Sequence, residues 1–172
     1  MSPDPGDTLE QALRDGATSL DELESKAFLR HYSIPCTPDH FASSAEEAVG
    51  AAEGVGYPVV LKGLARDVGH KSEAGLVRLD LDTPEAVRRA YAAVDPTPGH
   101  RGVLIQPQIE AEREFLAGFF RDPQFGPVIM FGLGGIFTEA LSDISLRLAP
   151  ITDREARDML AELRGRSLLE GL

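Results

Sequence analysis

The chain has 172 residues, with 28 acids against 17 lysines and arginines, a net charge of −11 and a hydrophobic fraction of 42%. That composition supports one large domain or two small lobes, and its acidity argues against a broad nucleic-acid surface while leaving room for a few converging cations to take a polyphosphate. The single Cys36 excludes an internal disulfide and a multi-cysteine zinc site, the four histidines have no metal-type spacing, and no apolar run is long enough to span a membrane, so a cytoplasmic protein is expected.

Residues 1–17 are polar, contain Pro and Gly, and read as a flexible leader. Ser19 and Glu22 have the S-x-x-E spacing that satisfies two orphan amides at a helix start. Leu20, Leu23, Ala27, Phe28 and Tyr32 follow at helical spacing, and Pro35 and Pro38 end the element. Ser44 and Glu47 open a second helix to about Glu53. Strands are predicted over 58–63 and 75–81, then a helix from Thr83 to about Val94 with Pro84 at its first position. After the loop at 95–99 (DPTPG) come strands over 102–109, 113–120, 127–131 and 145–149. Thr152 and Glu155 cap a last helix whose inner face is Ala156, Met159, Leu160 and Leu163. Alternation followed by a strand-rich half gives an α+β protein of two lobes, 18–100 and 101–172, with 102–109 as the crossing between them.

The passage GLARDVGHKSEAGLVRL, residues 63–79, places His70 beside Lys71 on a glycine-bounded loop. Neutral imidazole is a competent nucleophile toward phosphorus, and a neighbouring cation stabilises the phosphate it accepts. An ordinary exposed loop histidine fits the same spacing. Lys62 ends a buried-looking strand, where its head emerges either to meet a phosphate or as a plain surface lysine. Gly132, Gly134 and Gly135 could bare amides to an anion or form a tight turn, and their spacing is neither a dinucleotide fingerprint nor a P-loop. Glu139, Asp143 and Arg147 recur every four residues: on a helix they would pair with one another, in an extended segment they would form a mixed-charge rim suited to metal and phosphate. Glu114 leads an otherwise apolar strand and is either solvent-facing or a ribose acceptor.

Taken together, SLDELESKAFLRHYSIPCTP, EEAVGAAEGVGYPVVLKG, DVGHKSEAGLVRL, GVLIQPQI and the long run from REFLAGFF to LRLAPIT resemble, in order and over residues 19–172, the ATP-grasp domain of the ADP-forming (NDP-forming) acyl-CoA synthetases, among them acetate–CoA ligase. The resemblance implies an ATP-grasp fold, two α+β lobes enclosing a nucleotide cleft, with ATP/ADP and Mg as cofactors. It implies a CoA-binding domain or subunit as partner. His70 would be a relay nucleophile with Lys71 beside it, and Lys62 would hold nucleotide phosphates. The hinge with Ile105, Gln106 and Gln108 would offer backbone groups to adenine, Glu114 would accept from the ribose or brace that hinge, and Gly134 and Gly135 would approach the phosphates. Glu139 would lie near the metal and Arg147 near the transferred phosphoryl. Relatives continue past the equivalent of Leu172 with an Arg-Gly element, a helix and a strand bearing metal-binding residues, so an incomplete second lobe, an unpaired edge and a homodimer are further expectations. A non-catalytic, ligand-sensing module like those fused to protein acetyltransferases is the competing reading.

Overall fold

The fold was analysed in a computed structural model described over residues 5–65, 75–94, 99–111, 113–134 and 143–169. The chain divides into two units, Met1–Ile109 and Glu110–Leu172.

In the first unit, four antiparallel strands lie in the order β1-β4-β2-β3: β1 His40–Ala42, β2 Val59–Ala65, β3 Val77–Leu81 and β4 His100–Pro107. The period-2 alternation sorts their side chains onto two faces. Val59, Leu61, Val103 and Ile105 are fully buried in one cluster with Ala48 and Ala52 of α3 (Ala45–Val55) and with Val87 and Val94 of α4 (Pro84–Val94). The opposite face carries Val60 opposite Gln106 and Lys62 opposite Leu104. Gly102 lies at φ 141°, and a Cβ there would sit 2.6 Å from the Ala42 carbonyl oxygen, so only glycine lets β4 approach β1 so closely.

Three expectations change here. The segment read as a flexible leader contains an α-helix, α1, Pro5–Arg14, with Ala12 buried. The second helix, α2, spans Glu22–His31, and its capping box is formed by Asp21 and Glu24 rather than by Ser19 and Glu22. The S/D-x-x-E spacing occurs twice in SLDELE, and the second copy is anchored by Arg101, whose guanidinium lies 2.6 Å from Asp21. The boundary between units falls after Ile109 rather than after residue 100, because β4 is an inner strand of the first sheet with Gly102 to Gln106 buried. Sequence reading missed the three-residue β1 altogether. Elsewhere the caps hold as read: Ser44, Thr83 and Thr152 each accept an amide of the first turn, and Thr152 and Glu155 form a full capping box.

The second unit is a meander of β5 (Phe115–Asp122), β6 (Gly126–Leu133) and β7 (Ile144–Leu148), followed by α5 (Asp153–Glu162) and a short 3₁₀ turn, Arg166–Leu168. Its first hairpin follows from local chemistry. The Asp122 carboxylate accepts the amides of Gln124 and Phe125, and Gly126 takes the left-handed φ of 83° that closes the turn. Met159 and Leu163 are 2% exposed and form the buried stripe of the α5 region. Directly opposed residues share a sheet face, so Leu116 and Ile144 flank Gly132, Leu146 lies opposite Met130, and Phe120 and Leu148 flank Val128. Leu116, Phe120, Ile144, Leu146 and Leu148 on that face are all exposed.

Asp143 and Arg147 do not share a helix, since Arg147 lies within β7 and Asp143 just before it. The Asp143 carboxylate is 6% exposed and accepts the amides of Arg164 at 2.9 Å and Gly165 at 2.8 Å. It therefore binds backbone and ties the segment after α5 to the start of β7.

Replacing Asp21 by Ala is expected to lower the unfolding free energy by about 2 kcal/mol, from loss of the cap and of a buried charge-assisted contact, as read by urea denaturation. The Gly165 and Arg164 amides hold the Asp143 carboxyl below the usual Asp range. Its contribution to stability is complete above the unfolded value of about 3.9 and disappears as pH falls through the lower folded value. Acid unfolding curves should lose that low-pH component in Asp143→Asn, with the wild type steeper below the ordinary Asp range.

Candidate functional site

Two polar side chains on the face of the first sheet that also carries Val60 and Leu104 converge on Glu22. This residue opens α2, whose start is fixed by the Asp21–Glu24 capping box and by Arg101, which also lies 3.4 Å from Glu24. From that position the Glu22 Oε1 accepts Lys62 Nζ at 2.8 Å and Gln106 Nε2 at 3.0 Å. Lys26, one turn along α2, lies 3.5 Å from the same oxygen. Lys26 is shared in turn, donating to Thr37 Oγ1 at 2.7 Å and lying 3.6 Å from Asp39, which Arg30 also binds. Burial alone would raise the Glu22 pKa, but the hydrogen bonds from Lys62 and Gln106, with the charges of Lys62 and Lys26, outweigh it and hold the carboxyl below the usual Glu range. Glu22 is thus a carboxylate at neutral pH. Lys62 lies in the middle of β2 rather than at its end, with its side chain 28% exposed and its ammonium held by Glu22.

Two of the expected ligand contacts, Lys62 and Gln106, are therefore brought together by an acid that sequence reading had assigned to capping. Ile105 lies on the other face, fully buried in the core, with its backbone between β1 and β2. The Gln108 side chain is bound to β3. The β2–β3 pairing carries a bulge, and Asp80 within it adopts φ 57°, a left-handed conformation that Asp tolerates. Gln108 Oε1 accepts the Asp80 amide at 2.7 Å while its Nε2 donates to Asp80 Oδ1 at 2.6 Å, so the side chain serves the bulge.

In the second unit, Gly134 and Glu114 are neighbours. The Gly134 amide donates to the Glu114 carbonyl at 2.8 Å, and a Cβ at Gly134 would sit 2.9 Å from the Glu114 carbonyl carbon. Close approach of two chain segments accounts for this glycine. The Glu114 side chain is exposed. Arg147 is engaged by Glu162 of α5, and it also donates to the Leu146 carbonyl and to Ser145 Oγ. His70, Lys71, Gly135 and Glu139 lie outside the described residues. Among the described residues no three His, Cys, Asp or Glu side chains group as a metal site, and no helix is long and apolar enough to cross a membrane.

Sequence reading missed Glu22 because the S-x-x-E pattern offered it an adequate role. The discriminating signal was the overlapping D-x-x-E two residues on, which releases Glu22 from the cap and leaves a half-buried acid needing a cation.

The profile of the ATP-grasp domain matches residues 11–172. The chain is 38% identical over 170 residues to the beta subunit of ADP-forming acetate–CoA ligase II of Pyrococcus furiosus, covering 95% of this chain and 72% of that subunit. It is 44% identical over 150 residues to ADP-forming acetate–CoA ligase II of Archaeoglobus fulgidus, covering 87% of this chain but only 22% of that longer enzyme. Solved structures of the dinucleotide forming acetyl-coenzyme A synthetase 1 of Ca. Korarchaeum cryptofilum superpose closely. The complex with coenzyme A, Ca-AMPCP and HgCl+ gives a TM-score of 0.90 at 40% identity over 98% of this chain and 77% of that one. The complex with coenzyme A and Mg-AMPPCP, its phosphohistidine segment pointing towards the nucleotide binding site, gives 0.83 at 39% identity over 98% and 75%. A two-unit α+β chain matched over nearly its whole length in this way has the ATP-grasp fold and belongs to the ATP-grasp domain family.

Proposed function

We propose that the chain is the nucleotide-binding part of an ADP-forming acid–CoA ligase, passing a phosphoryl group between a histidine relay and ADP/ATP. The observation that carries this reading is the Lys62–Glu22–Gln106 cluster, a held ammonium on a part-exposed lysine of an inner strand, in a chain whose relatives are ADP-forming acetate–CoA ligases. Lys62 has three donors and uses one on Glu22. Among the described residues no other acceptor engages it, and a phosphate contact from its remaining donors would stabilise the charge spread over the transferred group.

In the relay, a neutral His70 nitrogen attacks phosphorus as the bond from phosphorus to its donor breaks. The N–P bond then breaks as a terminal ADP oxygen forms the new P–O bond, and the imidazole returns neutral, so no separate general base is needed. Lys71 beside it would stabilise the phosphate in transit. Magnesium fits this chemistry, because it binds nucleotide phosphates with one or two carboxylates rather than a full protein cage. Glu139 is the carboxylate that would hold it, and bound Mg²⁺ would neutralise phosphate oxygens. Arg147 would reach a phosphoryl group only after leaving Glu162, so it is a weaker candidate than Lys62. Gly134 would likewise have to give up its bond to Glu114 to present its amide to an anion. The partner is a CoA-binding domain or subunit, in keeping with the coenzyme A held by the Korarchaeum synthetase.

Incubation with radiolabelled ATP and Mg²⁺ should place an acid-labile, base-stable phosphate on the wild type and none on His70→Ala. A wild type that stays unlabelled, or a His70→Ala chain labelled equally, removes the relay. Calorimetry should find ADP bound at least about ten-fold more weakly by Lys62→Ala. Acyl-CoA binding without nucleotide binding would point instead to the ligand-sensing module.

A further inference from the structure

The ion pairs that meet at Glu22 extend along α2, and their charges do not balance. Lys62 lies 2.8 Å from Glu22, Lys26 lies 3.5 Å from the same oxygen and 3.6 Å from Asp39, and Arg30 lies 2.9 Å from Asp39. Among the described residues, two carboxylates in this chain of contacts face three cations, in a protein that is strongly acidic as a whole. The three cations are not equivalent. Arg30 is engaged by Asp39 and by the Thr37 carbonyl, 3.0 Å away. Lys26 is enclosed, its side chain 12% exposed, and it donates to Thr37 Oγ1 at 2.7 Å. Lys62 has Glu22 as its one acidic partner among the described residues and is the more exposed of the two lysines, so the surplus positive charge is accessible there. With Lys26 taken away, two carboxylates would face two cations. Glu22 would then claim Lys62 outright, and an anion approaching Lys62 would meet an uncompensated carboxylate beside it.

We propose that Lys26 is a positioning residue for phosphate binding that does not itself touch the nucleotide: it neutralises Glu22 from within α2 and so leaves the charge of Lys62 available to a diphosphate. The inference deepens the nucleotide-binding reading above and rests on it. The spacing suits the task, because a Glu four residues before a Lys on a helix is the favourable order for such a pair. Thr37 and Asp39 hold the Lys26 ammonium from its other side, which keeps it beside Glu22 rather than in solvent. Lys62 can then share its donors between Glu22 and a phosphate without leaving a half-buried carboxylate unpaired.

The test is calorimetric titration of ADP into the full chain and its variants. Lys26→Met, which keeps the length of the side chain and removes its charge, should bind ADP about five-fold more weakly than the wild type. Lys26→Arg, which keeps the charge, should retain most of the wild-type affinity. In a Glu22→Gln background there is no carboxylate to neutralise, and adding Lys26→Met should change the affinity little. That non-additivity separates charge compensation from packing, because a disturbed α2 or 36–39 segment would weaken binding in both backgrounds alike. The thermal midpoint of each variant identifies any chain that has failed to fold. For such a chain Lys26→Gln, which retains a donor for Thr37, replaces Lys26→Met. An ADP affinity unchanged or raised in Lys26→Met, a loss that Lys26→Arg reproduces, or a loss of the same size with and without the Glu22 carboxylate overturns this inference and leaves nucleotide binding standing. A wild type that binds no ADP overturns both.

Discussion

The Glu22 carboxylate is the contact on which the polar half of the first unit depends. It meets two lysines and one carboxamide at a single oxygen, and it does so from the first residue of a helix. Each of these groups would be costly to leave unpaired in a half-buried setting. A lysine in the middle of an inner strand needs an anion, and an acid with three donors around it needs no solvent. The arrangement leaves Lys62 exposed enough to take a further partner without leaving the first.

That carboxylate is only as well placed as the helix that carries it. The Asp21–Glu24 capping box sets where α2 begins, and Arg101 on β4 grips both members of the box. Because Gln106 lies further along the same strand, β4 contributes one residue that locates the helix and another that the helix then orients. A change at Arg101 would therefore reach the cluster through two paths, the cap and the strand, without touching Lys62.

Much of this architecture was legible in the sequence. Six of the strands, read as apolar runs between capped helices, lie within about two residues of their observed bounds, and the caps at Ser44, Thr83 and Thr152 followed from side-chain chemistry that acts over three residues. The failures share a cause. SLDELE contains two overlapping caps, and what decides between them is Arg101, far away in the chain. Strand β1 is too short for periodicity to register, and it exists because β4 offers it an edge. Nothing local revealed that Asp80 would turn left-handed and leave an amide for the Gln108 side chain to accept. At Gly134, where the sequence left an anion loop and a tight turn open, the close approach of Glu114, set by tertiary packing, also requires a glycine. Long-range partners, rather than local propensity, set these residues' roles.

The exposed apolar face of the second sheet has a consequence for how this chain can be handled. Leu116, Phe120, Ile144, Leu146 and Leu148 form a continuous greasy surface on a unit whose own helix lies with Arg147 and Ser145 on the reverse side. So small a unit has little core with which to offset such a surface. In the intact chain as in an excised 110–172 piece, that surface would be drawn to detergent, to chaperones or to another copy of itself.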